Sequence, residues 1–274
     1  MLMDWGPKMK WEELTADQFR QAVIDSQGVC LLPLGVIEKH GPHLPLGTDL
    51  LAAREISLRA AALEPAVVFP EYYLTQILEA KHQPGTIAIG ARLMMELLET
   101  VCAEIARNGL RKILIYNGHG GNENLLRFFI RVQLESSRDY VIYLATPRPD
   151  PEFEQKVKAI RQTEFDHHAG EFETSWMMAI RPDLVKLKEA SKESGARQGR
   201  LDQLGDAHTA MGWYSNFPNH YAGDGQPATA DKGKMMIEHA VTSLVEVIRE
   251  VKADQVTGEL QREFFRRAQD PLAK

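Results

Sequence analysis

The sequence predicts an α/β protein with a mostly parallel central sheet covered by helices on both faces. Two observations carry this. Short, continuous apolar runs of the kind buried on both faces of a parallel sheet alternate with longer segments of helical spacing. Two of those runs lead directly into glycine-rich polar loops, as strands do at the ligand-binding edge of such a sheet.

The elements follow in chain order. Trp11 to Val23 has the spacing of an amphipathic helix, with Thr15 as its capping residue. Gly28-Val-Cys-Leu-Leu-Pro-Leu reads as a buried strand, Leu50 to Leu63 as a helix ended by Glu64-Pro65, and Ala66-Val-Val-Phe-Pro as a second strand. Pro84-Gly85 marks a turn, and Arg92 to Asn108 is a helix closed by Gly109. Arg111 to Tyr116 is a strand, Glu123 to Ser137 a helix, and Tyr140 to Ala145 a further strand. A proline-rich stretch, Thr146 to Pro151, precedes a polar segment that enters a helix ending near Arg181-Pro182. Residues 186–225 lack periodicity and read as long loops that cover a site or meet another subunit. Ala230 to Val251 is an amphipathic helix, and a shorter charged helix closes the chain. With no internal repeat or low-complexity segment, one domain spanning 1–274 is the simplest organisation.

Composition narrows the function classes. The chain is 44% apolar and 26% charged, with a net charge of −6. It has no basic tract for nucleic acid or an anionic membrane, and no apolar run near the roughly 20 residues that span a bilayer. The N-terminus lacks the apolar core and cleavage site of a signal peptide, so the expected location is the cytoplasm. Cys30 and Cys102 sit inside apolar segments and read as buried thiols rather than a disulfide.

Chemistry concentrates in three places. The loop after the first strand carries Glu38, His40, His43 and Asp49 among Gly41, Pro42, Pro45 and Gly47. Glu38 and His40 are two apart, so both side chains leave one side of an extended backbone, and the glycine/proline loop can turn Asp49 back toward them. Taken alone, Asp49 would be only a helix cap and Glu38 only an exposed acid. Asn117-Gly-His-Gly-Gly-Asn122 follows another strand, which would bring His119 to the same sheet edge. It matches neither Gly-x-Gly-x-x-Gly nor a P-loop and has no lysine for phosphate. Its glycines read as room around His119, with Asn117 and Asn122 pinning the turn. The third cluster is His168-Ala-Gly-Glu-Phe-Glu-Thr-Ser175. Glu171 and Glu173 could merely complement a helix N-terminus. The alternative makes one carboxylate a ligand and His168 a proton carrier with a pKa near neutrality. Of the remaining histidines, His208, His220 and His239 are expected to be surface or packing residues.

Carboxylates and imidazoles without cysteine suit zinc, manganese, iron or similar divalent ions, and a carboxylate can bridge two of them. Two ions about 3.5–4 Å apart can generate hydroxide and polarise a carbonyl, which makes an amide C–N bond a natural target.

These three motifs, with His82-Gln-Pro-Gly-Thr-Ile as a weaker fourth, resemble in order and content those of the creatininase (creatinine amidohydrolase) family. The resemblance covers residues 31 to 175. It implies a single three-layer α/β/α domain, a centre of two divalent metals (Zn with Zn, Mn or Fe), a small amide substrate and often a hexamer. By position, Glu38 and His119 would help hold one metal, His40 the other, and Asp49 would bridge. His168 falls on the family's proton-transferring histidine, and Glu173 on a ligand or its neighbour. His43, His82, Asn117, Gly121 and Glu171 would support the ligands or face substrate.

Two positions depart from creatinine-hydrolysing members. Gly120 and Gly121 replace a Tyr-Glu whose glutamate binds metal, and Glu164 replaces a tryptophan that closes over substrate. Members with the Gly-Gly form act on formamides or cleave a modified peptide. The expected function is therefore metal-dependent hydrolysis of a cyclic or related small amide. A formamide- or peptide-cleaving relative, and a non-catalytic metal-binding subunit on the same scaffold, are the competing readings.

Overall fold

The computed structural model describes residues 9–146 and 149–272. The N-terminal octapeptide, and Pro147 and Arg148 of the proline-rich stretch, lie outside the described residues.

Four strands, β1 (Val29–Leu34), β2 (Val67–Val68), β3 (Lys112–Asn117) and β4 (Val141–Leu144), form an all-parallel sheet in the order β2-β1-β3-β4. Nine helices among the described residues surround it: α1 (Ala16–Asp25), α2 (Thr48–Leu63), α3 (Ala91–Arg107), α4 (Glu123–Val132), α5 (Pro151–Ile160), α6 (Glu171–Ile180), α7 (Gly212–Asn216), α8 (Ala230–Ala253) and α9 (Thr257–Gln269). Successive strands are linked through α2, α3 and α4. Right-handed crossovers put α2 on one face, and α3 and α4 on the other, because the chain steps outward to β2 and then back past β1 to β3 and β4. α8 packs on α2, β1 and β3, and α6 packs on α8, completing the first layer. The α/β/α expectation holds.

The reversal of direction between β1 and β3 is a topological switch point, where the loops leaving the strands diverge and open a crevice. Register places Leu34 opposite Asn117, so the two polar loops begin side by side.

β1 is wholly buried, yet it contains Pro33. Leu31 and Gly35 make their backbone hydrogen bonds on the β2 side, to Phe69 and Tyr72. Pro33, between them, lacks its N–H on that same side, and β2 has already ended at Val68. A proline that would break a long central ladder is therefore tolerated beside a two-residue neighbour.

Several boundaries differ from the sequence reading. Trp11–Glu13 is a separate 3-10 turn, and Thr15 caps α1 through a reciprocal pair with Gln18. The helix expected to Ser137 ends at Val132 and tightens into a 3-10 turn. α5 was not foreseen: Asp150 accepts a hydrogen bond from the Phe153 backbone N–H and Pro151 occupies the first helical turn, so the proline-rich stretch starts a helix rather than a linker. Residues 186–225 are 3-10 turns and loops plus the short α7. No helix among the described residues is long and apolar enough to cross a membrane.

Cys30 and Cys102 are free and buried. Burial raises both thiols, Cys102 to about 12. A colorimetric thiol reagent should find no reactive group in native protein at neutral pH and two after denaturation in guanidinium; rapid native labelling of either would contradict this packing.

Candidate metal centre

The site forms where the β1 and β3 loops meet the first turn of α2. Two close approaches allow it. A Cβ on Gly35 would lie 2.5 Å from Leu50 Cα, and one on Gly118 would lie 2.7 Å from both Ala53 Cβ and the Asp49 carbonyl oxygen. Glycine after each strand thus lets α2 seat directly across the two strand ends. Asp49 sits in the first turn of α2 and makes no capping bond; Gly47 holds the N-cap position.

Asp49 is shared between the loops. Its Oδ1 lies 3.1 Å from His40 Nε2, and its Oδ2 lies 2.9 Å from His119 Nδ1. Glu38 Oε1 is 3.0 Å from the same His119 nitrogen but makes no hydrogen bond. Glu173, from the first turn of α6, places Oε2 3.9 Å from His40 Nε2 and 3.9 Å from His168 Nδ1. Among the described residues, Glu38, Asp49 and His119 can offer donor atoms that all lie within 4.8 Å of one another, and so can His40, Asp49 and Glu173, and also Glu38, His40 and His168. Glu38 and His40 are fully buried, and Asp49, His119 and His168 nearly so.

The electrostatics follow from this crowding. Burial acts to raise the Glu38 carboxyl, but His168, His119, His220 and His40 outweigh it and hold the group well below its usual range. Burial likewise opposes ionisation of Asp49, and His40 and His119 overcome it. Burial acts to lower His40, while Asp49, Glu38 and Glu173 push it up to about 10; His119 is raised by Asp49 and Glu38 against the same penalty. Glu173 is pushed up to about 7, chiefly by burial. His168 is pushed down to about 3 by burial and then by the charge on His40, which corrects the expectation of a near-neutral pKa.

Donor chemistry tests whether a cation fits. His40 Nδ1 faces the Glu38 carbonyl at 3.3 Å and Nε2 faces a carboxylate. Both neighbours accept only, so His40 either carries two hydrogens or presents Nε2 to a cation while Nδ1–H stays on the carbonyl, the usual arrangement of a ligating histidine. Three clustered carboxylates, with Glu38 Oε1 free of hydrogen bonds, complete a donor set suited to divalent ions.

Known proteins share this sequence pattern and fold. A profile of the family described as creatininase, creatinine amidohydrolase, matches residues 12–248. The chain belongs to the creatininase family. Creatinine amidohydrolase from Pseudomonas putida is 27% identical over 255 residues, covering 87% of this chain and 95% of that protein. The mycofactocin precursor peptide peptidase of Mycolicibacterium smegmatis is 29% identical over 231 residues, covering 82% and 86%. A solved structure of manganese creatininase superposes with a TM-score of 0.75 at 23% identity, covering 90% of this chain and all of that one, and shows the shared fold. Membership makes the chain a metal-dependent hydrolase of amide C–N bonds.

Within this creatininase-family chain, both departures have structural counterparts. At Gly121, an added Cβ would fall 2.4 Å from His119 Nε2 and 2.9 Å from Glu79 Oε1. The carboxylate of Glu79, held by Gln76 Nε2, fills the space that a side chain at 121 would enter. Glu164 is exposed, and the aromatic ring beside His168 comes instead from Trp213 of α7, edge-on at 5.9 Å.

The remaining sequence candidates divide. Asn117 pins its turn by donating to the His119 carbonyl and accepting from the His119 backbone N–H, and Asn122 ties it to Thr75 and Gln76. His43 is buried with Nε2 2.8 Å from Thr174 Oγ1, outside the carboxylate cluster. Two others lie apart from the carboxylate cluster. His82 is exposed, with Nε2 on the Pro218 carbonyl and its ring on Tyr214. Glu171 turns away from the centre and binds the Gln162 and Thr163 backbone N–H groups, the Thr163 hydroxyl and Lys232 Nζ. On a helix, positions two apart point to nearly opposite sides, so Glu173 and Glu171 could not both face the cluster.

His208 is exposed, and His239 stacks on Phe153 at 3.6 Å, as expected of surface and packing histidines. His220 is a different case. It is 1% exposed and its Nε2 hydrogen-bonds Glu38 Oε2.

Gly118→Ala should cost about 1–3 kcal/mol through overpacking against Ala53 and Asp49. Gly120, where a Cβ would meet nothing within 4 Å, should accept alanine within about 0.5 kcal/mol. Denaturant unfolding of the two variants checks the contrast, and equal stabilities would refute the seating of α2 described above.

Proposed function

We propose that this protein is a cytoplasmic, homo-oligomeric two-metal amidohydrolase that cleaves a C–N bond of a cyclic or related small amide. Glu38, Asp49 and His119 would hold one divalent ion and His40, Asp49 and Glu173 the other, with Asp49 common to both; zinc, manganese or iron fits the donor set. The observation that carries the reading is the Asp49 carboxylate reached by imidazoles from two different strand loops, within hydrogen-bond distance of each. Exposed Leu93 of α3 and Phe128 of α4 support burial of that layer in an oligomer.

Two divalent ions held here would supply carbonyl polarisation and a more acidic water. The protein's own part is proton handling. His168 Nε2 lies 2.9 Å from the Lys39 carbonyl oxygen, an acceptor only, so Nε2 carries the hydrogen and Nδ1 keeps the lone pair. With its hydrogen on Nε2, His168 keeps the Nδ1 lone pair free, and Nδ1 is the atom through which it would pass a proton to the departing nitrogen. The Lys39 carbonyl fixes the ring, and the Trp213 ring lies nearly perpendicular to it with centroids 5.9 Å apart.

A second reading, hydrolysis of a peptide or formamide, draws on Gly121 and on the match to the mycobacterial peptidase. A reconstituted assay across creatinine, formamides, small cyclic amides and short peptides separates the two.

Elemental analysis of metal-loaded protein should find close to two divalent ions per chain; a chain with no affinity for zinc or manganese would remove both catalytic readings and leave the scaffold alone. His168→Ala should abolish turnover with metal content intact, whereas Asp49→Asn should lose metal. Full activity of His168→Ala on the true substrate would overturn the proton-transfer role.

A further inference from the structure

His220 lies in the irregular segment, far in sequence from Glu38, and adopts a left-handed backbone (φ 52°) that is uncommon for a residue other than glycine. Two features hold it there. Its backbone N–H donates to the Phe217 carbonyl at 2.9 Å, and its own carbonyl accepts from the Gly41 N–H at 3.4 Å, inside the loop that carries His40. The ring is engaged at both nitrogens. Trp213 Nε1–H donates to His220 Nδ1 at 2.9 Å, and an indole N–H can only donate. Nδ1 is therefore the lone-pair nitrogen, and the ring hydrogen sits on Nε2, where it donates to Glu38 Oε2.

The consequence falls on the other oxygen of the same carboxylate. With Oε2 engaged by His220, Oε1 is the atom turned toward His119 and Asp49, buried and without a hydrogen bond. We propose that His220 is a positioning residue for the metal centre: it donates to Glu38 Oε2 and so presents Oε1 to an ion, and Trp213 sets the tautomer that makes this donation possible. This rests on the reading of Glu38 as a metal ligand. It assigns Trp213 two contacts with the centre, the indole N–H to His220 and a perpendicular ring pair with His168. The segment that roofs the site thereby also sets the affinity of its ion.

The test is competition of the full-length protein with a chromophoric chelator for zinc and for manganese, with native fold checked by circular dichroism. His220→Ala should weaken one of the two ions about 10- to 100-fold, the usual effect of losing a partner behind a ligand, and leave the other within about threefold. His220→Gln, whose amide can also donate to Glu38, should recover most of that loss. Trp213→Phe should weaken the same ion, and should add nothing in the His220→Gln background, where no tautomer needs setting. That pair of variants carries the test if His220→Ala does not fold. Unchanged affinity for both ions in His220→Ala, or a Trp213→Phe effect that persists undiminished in His220→Gln, overturns the proposal. Wild-type protein that binds no ion overturns the metal reading instead.

Discussion

The arrangement depends on one carboxylate reached from two sides. Asp49 has no local role as a helix cap, and its two oxygens face imidazoles carried by loops that leave different strands. That requires β1 and β3 to be neighbours in register, the chain to reverse its winding direction between them, and α2 to lie directly on the strand ends. Each requirement has an identifiable cause in the sequence: apolar runs that bury on both faces, crossovers that turn right-handed, and glycine where a side chain would collide. The sheet is small, but its two central strands are the ones that carry chemistry.

Burying so many ionisable groups together creates an electrostatic asymmetry among them. Without a cation, the carboxylates beside His40 and His119 raise both rings, whereas His168, equally buried and next to His40, is lowered. Identical side chains a few ångströms apart therefore have opposite tendencies, and the difference comes from which neighbour each ring nitrogen meets. His168 is turned by the Lys39 carbonyl so that its lone pair is the one left available. Environment rather than residue type sets the tendency of each ring here.

Much of this was readable in the sequence because it is local. Glu38, His40 and Asp49 share one loop, Asn117 to Asn122 form one turn, and Thr15 with Gln18 announces α1. What was not readable depends on distance or direction. His220 stands in an aperiodic segment with no acidic neighbour, and its partner Glu38 is met only after the chain has folded. The helix at Pro151 was hidden because prolines suggest a linker, although Asp150-Pro151 is itself a helix-start signal. Glu171 and Glu173 look equivalent in sequence, but helical geometry sends the first to Lys232 and the second to the centre. The absent carboxylate at Gly121 gave no hint that Glu79 would occupy the vacated space.

The bond between His220 and Glu38 bears on how such an enzyme could change what it acts on. The loops that wall the centre would be the obvious place for variation, since they are irregular and contribute little to the sheet. Yet one of their residues hydrogen-bonds Glu38, so on the proposal above the roof is not a free cassette. A lineage that remodels residues 212–220 to admit a new substrate must keep a hydrogen-bond donor on Glu38 or accept a weaker hold on its metal. On that proposal, selectivity and metal retention in this chain are coupled through a single hydrogen bond.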